Sequence, residues 1–173
     1  MGMLCRFVAV CCLAVELAAC ASTSAVESQT KQRDARLARL YFLREKGLVG
    51  AMGGTGPGAE IKIDGTSVGT VANGTYIFAD RPPGRHILSV ENKVSVGSFE
   101  TEVQVDAGQA YYFSIAPAGG GGMGQELLNQ GFWGGQGEPM QTRSPLSSAM
   151  SGVALRRLDP STGAGVLNDL KAP

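Results

Sequence analysis

The stretch AEIKIDGTSVGTV, residues 59–71, decides the fold class. Its first five residues alternate strictly between apolar and charged side chains. Because successive side chains of a β-strand point to opposite faces, this period of two predicts a half-buried strand. Asp64-Gly65 then supplies a turn dipeptide that tolerates positive φ, and a second short strand is predicted from Val68 to Val71.

The alternation continues beyond a second turn. Asn73-Gly74 is typical of two-residue hairpin turns, and the chain returns from Thr75 to Ala79, so we predict that these two strands form a hairpin. Pro82-Pro83-Gly84 ends the ladder, since proline has no amide hydrogen. The next predicted strand runs from Arg85 to Glu91 and places three side chains on one face: His86, Leu88 and Val90.

Two later segments carry the clearest inward-facing sets, which are Phe99, Thr101, Val103 and Val105, and then Tyr111, Phe113 and Ile115. Upstream, ARLARLYFLR fits helical spacing at positions 37, 40 and 41 and strand alternation at 38, 40 and 42, and we favour a strand from Leu40 to Arg44. About seven short strands separated by turn residues predict an all-β fold, a small antiparallel β-sandwich over residues 37–116.

The chain after residue 116 divides into a glycine-rich part and a terminal part. Residues 117–150 are expected to form a flexible segment. Residues 151–173 predict a strand from Val153 to Leu158 and then a short helix, with Asp159 as N-cap and Pro160 at the first helical position. Gly163 and Gly165 weaken this helix, which we expect to survive only by packing on the sandwich.

The N-terminal residues have the layout of a secretory signal, with Arg6 followed by a short apolar run that is too brief to span a bilayer. Leu17-Ala18-Ala19-Cys20 resembles the lipobox of bacterial lipoproteins, which implies a signal peptide at 1–19 and a diacylated Cys20. Ala21 and Ser22, with no aspartate, resemble the sorting signal for the outer membrane. Residues 20–36 are then expected to form a polar tether.

Composition excludes several classes of function. Fifteen basic and fifteen acidic residues leave no net charge, and no basic surface of the kind that nucleic-acid binding needs is expected. All four cysteines lie within the first twenty residues, so the mature chain has no internal disulfide.

The lone histidine of the mature chain, His86, is expected in the core or at its rim, and Asp64, Asp80 and Asp106 are expected at turns, bonded to their own backbone. We therefore predict no enzyme activity, no catalytic residues, no metal site and no cofactor.

Three segments together carry a resemblance to known β-domains: AEIKIDGTSVGTV, RPPGRHILSVE and TEVQVDAGQAYYFSI. They resemble the small sandwich modules of PEGA type. With ARLYFLR in front and the lipobox upstream, the chain is similar to an uncharacterised family of short bacterial lipoproteins built on that sandwich. The resemblance implies a fold and supplies no catalytic roles.

These observations predict a non-enzymatic outer-membrane lipoprotein on the periplasmic face, acting as a structural or protein-interaction module. The expected partners are membrane lipid, through Cys20, and an envelope protein, contacted by exposed edge strands and glycine-rich loops. The alternative is a module that binds peptidoglycan or another envelope glycan. Its aromatic contacts would be Trp133 and Phe132, with Tyr111 or Tyr112 as further contacts.

Overall fold

The computed structural model describes residues 27–46, 58–92, 94–118 and 136–170. The predicted signal peptide and lipobox, including Leu17, Ala18, Ala19 and Cys20, lie outside these residues, as do Phe132 and Trp133. No helix in the described ranges is long and apolar enough to cross a bilayer.

Nine strands and two helices make up the described chain. The strands are β1 Ala38–Arg44, β2 Ala59–Ile63, β3 Thr66–Val71, β4 Thr75–Arg81, β5 Gly84–Asn92, β6 Ser98–Val105, β7 Ala110–Pro117, β8 Glu138–Pro139 and β9 Val153–Leu158. The helices are α1 Pro145–Ser151 and α2 Pro160–Asp169.

The strands form two sheets, with the order β4-β1-β7-β9-β8 in one and β3-β2-β5-β6 in the other. The predicted all-β sandwich is therefore confirmed. One ladder departs from the expected antiparallel pattern, because β1 and β7 run parallel. The predicted C-terminal strand is β9, and it joins the five-stranded sheet between β7 and β8.

The core lies between the two sheets and is built from the alternating positions. In β2 every second residue is buried, and in β6 the four predicted inward residues are all buried. β1 is buried on both faces, since Leu40 and Phe42 enter the core while Leu43 packs beneath α2. This double burial explains why the β1 sequence fits more than one periodicity.

The Asp64-Gly65 turn is confirmed, and it joins β2 to β3 in a hairpin with positive φ at both residues, 52° and 78°. The hairpin predicted for the next two strands is wrong. β4 pairs with β1 in the other sheet, and the turn at Asn73-Gly74 carries the chain across the sandwich, where the Gly74 amide donates to the Arg44 carbonyl at 2.8 Å. A turn dipeptide permits a reversal of the chain but does not decide which strand β4 pairs with.

Helix α2 covers part of the outer face of the five-stranded sheet. Its N-cap is Asp159, as predicted, and the carboxylate accepts hydrogen bonds from the amides of Ser161 and Thr162. Val166 of the helix packs with Leu43 and Leu158 of the sheet. The helix therefore forms with its buried face on the sandwich, as its glycine content led us to expect.

Candidate interaction surface

The large apolar side chains that are exposed in the described chain come from two neighbouring elements. They are Val94 at 75% exposure and Val96 at 90%, in the β5–β6 loop, and Leu146 at 80% and Met150 at 53%, in α1. We call these four residues the apolar patch. Single exposed apolar residues are ordinary, but several on neighbouring elements make this end of the sandwich a candidate interaction surface.

The loop and the helix are docked against each other. The Ser98 amide donates to the Ser147 hydroxyl at 3.0 Å. A side chain at Gly97 would meet the Ser147 carbonyl 2.1 Å away, so glycine lets the loop approach the helix. Gly152 ends α1 in the left-handed conformation, φ 66°. Leu146 and Met150, one turn apart, therefore share one face of a helix held on the sandwich.

A polar hollow of about 340 Å³ adjoins the patch. Its lining includes the carboxylates of Glu60 and Glu91 together with Ser95, Ser98 and Ser147. Lys62 donates to Glu91 at 2.8 Å, and this bond raises the pKa of the lysine. The end of the sandwich therefore presents apolar side chains beside hydrogen-bond acceptors.

The sheet edges, predicted as contact surfaces, are covered in part. The Glu27 amide donates to Val68 of β3, and the side chain of Gln29 bonds to Phe78 of β4. Along β6, the Thr101 hydroxyl donates to the Gln141 carbonyl at 2.8 Å. Covered edges resist pairing with other strands as long as the cover stays in place, so the apolar patch is more accessible than these edges.

His86 lies at the rim of the sandwich and is held on both sides. Its Nδ1 is 2.6 Å from the Asp64 carboxylate, and its Nε2 is 2.9 Å from the Pro82 carbonyl oxygen. The Asp64 carboxylate also accepts from the Ile87 amide at 2.9 Å. Burial raises the pKa of Asp64, but these bonds from His86 and Ile87 outweigh it, and the pKa falls below its ordinary value. The pair connects the turn after β2 to the turn before β5.

Asp80 differs from what the sequence predicts, whereas Asp106 lies at a turn as expected. Asp80 lies inside β4, where Arg39 donates to both carboxylate oxygens at 2.7 and 2.9 Å. These two side chains are 8% and 3% exposed, and the Arg39 guanidinium also lies 4.0 Å from the centre of the Phe78 ring. Asp106 begins the turn before β7, where its carbonyl accepts from the Gln109 amide at 3.3 Å, and its own amide donates to the Tyr111 hydroxyl at 2.9 Å. The turn interpretation of Asp80 is wrong because strand β4 continues beyond it to Arg81.

The two tyrosines named for glycan contact occupy different places. Tyr112 stacks on Tyr41, with ring centres 5.1 Å apart and planes at 6°, and burial raises its pKa. Tyr111 lines a groove of about 520 Å³, and the Arg157 guanidinium lies 5.5 Å from its ring centre. Of these two tyrosines, Tyr111 is therefore the one placed to contact a ligand in this groove. In the described ranges no group of three or more metal-ligating side chains comes together.

The apolar patch was not predicted from the sequence. Val94 and Val96 alternate with polar residues, as they would in a strand, and SPLSSAM lies next to a glycine-rich stretch. The available clue is that Val94 and Val96 fall between two complete strands and so have no place in the core.

A comparison with protein-family models matches residues 34–122, about half of the chain, to a family described as a protein of unknown function, DUF2846. No curated protein matches the chain. The matched region covers β1 to β7 and ends before β9. The family description mentions neither lipoproteins nor PEGA modules, so both resemblances stay predictions.

Proposed function

Because the chain belongs to the DUF2846 family of proteins of unknown function, we propose its function from the molecule itself. It is a non-enzymatic, lipid-anchored module that holds a protein partner in the bacterial cell envelope. The observation that carries this proposal is the apolar patch, which exposes four large side chains on one end of a packed sandwich. Leaving such a surface in water has no benefit for folding, whereas a partner would bury it.

The position of the patch supports a docking role. Its two elements are held by Gly97 and Ser147 against the ends of β5 and β6, so little conformational freedom is lost when a partner binds. The polar hollow beside it offers acceptors that would orient the partner.

The environment of His86 supports a non-enzymatic role. Both ring nitrogens lie within hydrogen-bonding distance of Asp64 or Pro82, so neither is directed at a hydroxyl nucleophile. A general base must reach the proton that it removes.

The test is photo-crosslinking of the full chain in native membranes, with a photoreactive residue at Val96 or at Arg85. Arg85 is a matched control, because it is exposed and lies at the opposite end of β5. We expect one reproducible protein adduct from Val96, absent from Arg85 and lost in Leu146→Asp. Equal labelling from both positions would contradict the proposal.

The anchor forms a separate part of the proposal, supported by the lipobox sequence alone. Metabolic labelling with palmitate should mark the chain in the outer-membrane fraction, and Cys20→Ser should abolish the label. Palmitate incorporation that persists in Cys20→Ser would contradict anchoring at this residue.

Glycan binding is the second candidate, and the groove at Tyr111 favours it. Glu138 and Arg157 line the groove beside the ring, and an aromatic face with planar polar groups suits a sugar. Pelleting of the soluble Cys20→Ser chain with peptidoglycan sacculi should weaken in Tyr111→Ala and stay unchanged in Tyr76→Ala. Trp133→Ala tests the residue named from the sequence.

A further inference from the structure

Residues 27–33, which fall within the predicted tether, lie against the sandwich, and we call them the strap. Every second residue of the strap bonds to the domain. The Glu27 carboxylate pairs with Arg81 at 2.6 Å, the Lys31 carbonyl accepts from Arg39 at 2.9 Å, and Arg33 donates to the Gly108 carbonyl. Between these contacts, the Ser28 and Thr30 side chains bond to each other. The strap therefore lies along the protein surface, with a turn at Gln29 and Thr30.

Gln29 makes the central contact of the strap. Its side-chain nitrogen donates to the Phe78 carbonyl at 3.1 Å, and its side-chain oxygen accepts from the Phe78 amide at 2.7 Å. A glutamine amide carries the same donor and acceptor as a peptide group. Gln29 thus gives Phe78 the two bonds that a residue of a neighbouring strand would give.

Strand β4 is an edge of the five-stranded sheet, and its other side pairs with β1 along its whole length. In an antiparallel ladder, alternate residues direct their backbone groups to the same side. Since Phe78 directs its groups away from β1, Tyr76 and Asp80 do so as well. The Asp80 carbonyl agrees with this, because it accepts from the Arg81 side chain at 2.9 Å. Beneath the strap, β4 has the geometry of an edge that accepts another strand.

The edge is also self-complementary. If a second β4 lay antiparallel and Phe78 faced Phe78, Tyr76 would face Asp80 and Thr75 would face Arg81, so no two like charges would be opposed. The two Phe78 residues would exchange both backbone bonds across a two-fold axis, which is the closed arrangement that most homodimers adopt.

From these contacts we infer that the outer edge of β4 is a pairing surface for a second copy of this chain, and that the strap covers it. Release of the strap would join two five-stranded sheets through β4. The inference is independent of the apolar patch, which lies on a loop and a helix that belong to neither β4 nor the strap.

The test uses the soluble Cys20→Ser chain and sedimentation analysis over a range of concentrations. Glu27→Ala/Gln29→Ala removes strap contacts, and Gln32→Ala is the matched control because Gln32 is exposed in the same segment. We expect the double variant to dimerise at least tenfold more tightly than the control. Adding Tyr76→Glu, which places a like charge opposite Asp80, should return it to monomer.

Hydrogen exchange at the Phe78 amide makes the result decisive. In the dilute double variant we expect this amide to exchange at least tenfold faster than in the parent, and to regain protection as dimers form. Fast exchange in a variant that stays monomeric would overturn the pairing surface, and higher oligomers would overturn the two-fold arrangement. Unchanged protection in a monomeric variant would overturn the role of the strap.

Discussion

Gly163 lies where α2 crosses the sheet. A side chain at this position would meet the Tyr112 ring at 2.3 Å and its Cβ at 2.5 Å, and that ring is itself stacked on Tyr41. Gly165, in the same helix, has no atom within 4 Å of such a side chain. From the sequence, both glycines weaken the helix. In the structure, the close contact with Tyr112 requires a glycine at position 163 but not at position 165.

We therefore predict opposite effects for two alanine substitutions in one helix. Gly165→Ala should stabilise the protein by about 0.5–1 kcal/mol, because alanine is the better helix former. Gly163→Ala should destabilise it by about 1–3 kcal/mol, because the helix must move off Tyr112. Urea unfolding measures both free energies of unfolding. Stabilisation by Gly163→Ala would show that α2 does not pack this closely.

Between elements, Asp64 and His86 join the turn after β2 to the start of β5. The sequence places the aspartate in an Asp-Gly turn and the histidine three residues after Pro83, and the fold brings the two together. The first step of this arrangement, the turn, follows from local chemistry. The second step, the contact, depends on pairing between β2 and β5 and could not be predicted locally.

The pH dependence of stability should reflect this pair. The pKa of Asp64 is lowered in the folded state, so its stabilisation is complete above its unfolded pKa of about 4 and is lost as the pH falls below that value. The midpoint of thermal unfolding should drop less between pH 5 and pH 3 in Asp64→Asn than in the parent. Asparagine also tolerates the positive φ of 52°. Glu100→Gln, on β6, is the control and should follow the parent.

How much of the fold the sequence predicts depends on whether a feature is set by neighbouring residues or by contacts between distant strands. Alternation located most strands, since burial of one face is a local pattern. Strand pairing could not be predicted from the sequence, because β1 pairs with β4 and β7, whose residues lie far from β1 in the chain. The apolar patch escaped prediction for a related reason: the alternation of Val94 and Val96 with polar residues resembles that of a strand, and only the fold shows that both side chains are exposed.

At the scale of the whole molecule, the sandwich extends past the region that defines the family. β9 pairs with β7 over six residues, and Leu155 is fully buried in the core. The family match ends at residue 122 and excludes both β9 and α2. The C-terminal residues that the sequence analysis set apart are therefore part of one core.

We predict that a fragment of residues 27–122 does not fold cooperatively. It would expose β7 as an unpaired edge and open the core at Phe113 and Ile115. Thermal unfolding followed by circular dichroism should show no sharp transition, whereas residues 27–173 should show one. A sharp transition in the fragment near that of the longer chain would mean that β9 is an addition to a complete domain.

The strap also has a mechanical consequence. A pulling force applied to the chain ahead of Glu27 would reach the sandwich through the contacts at Arg81, Phe78, Arg39 and Gly108, which come one after another along the strap. Contacts loaded in succession separate one at a time and at low force, whereas the ladders of a sheet resist together. Under tension, release of the strap would free at most about 23 Å of chain, the extended reach of seven residues, before the ladders of either sheet began to separate.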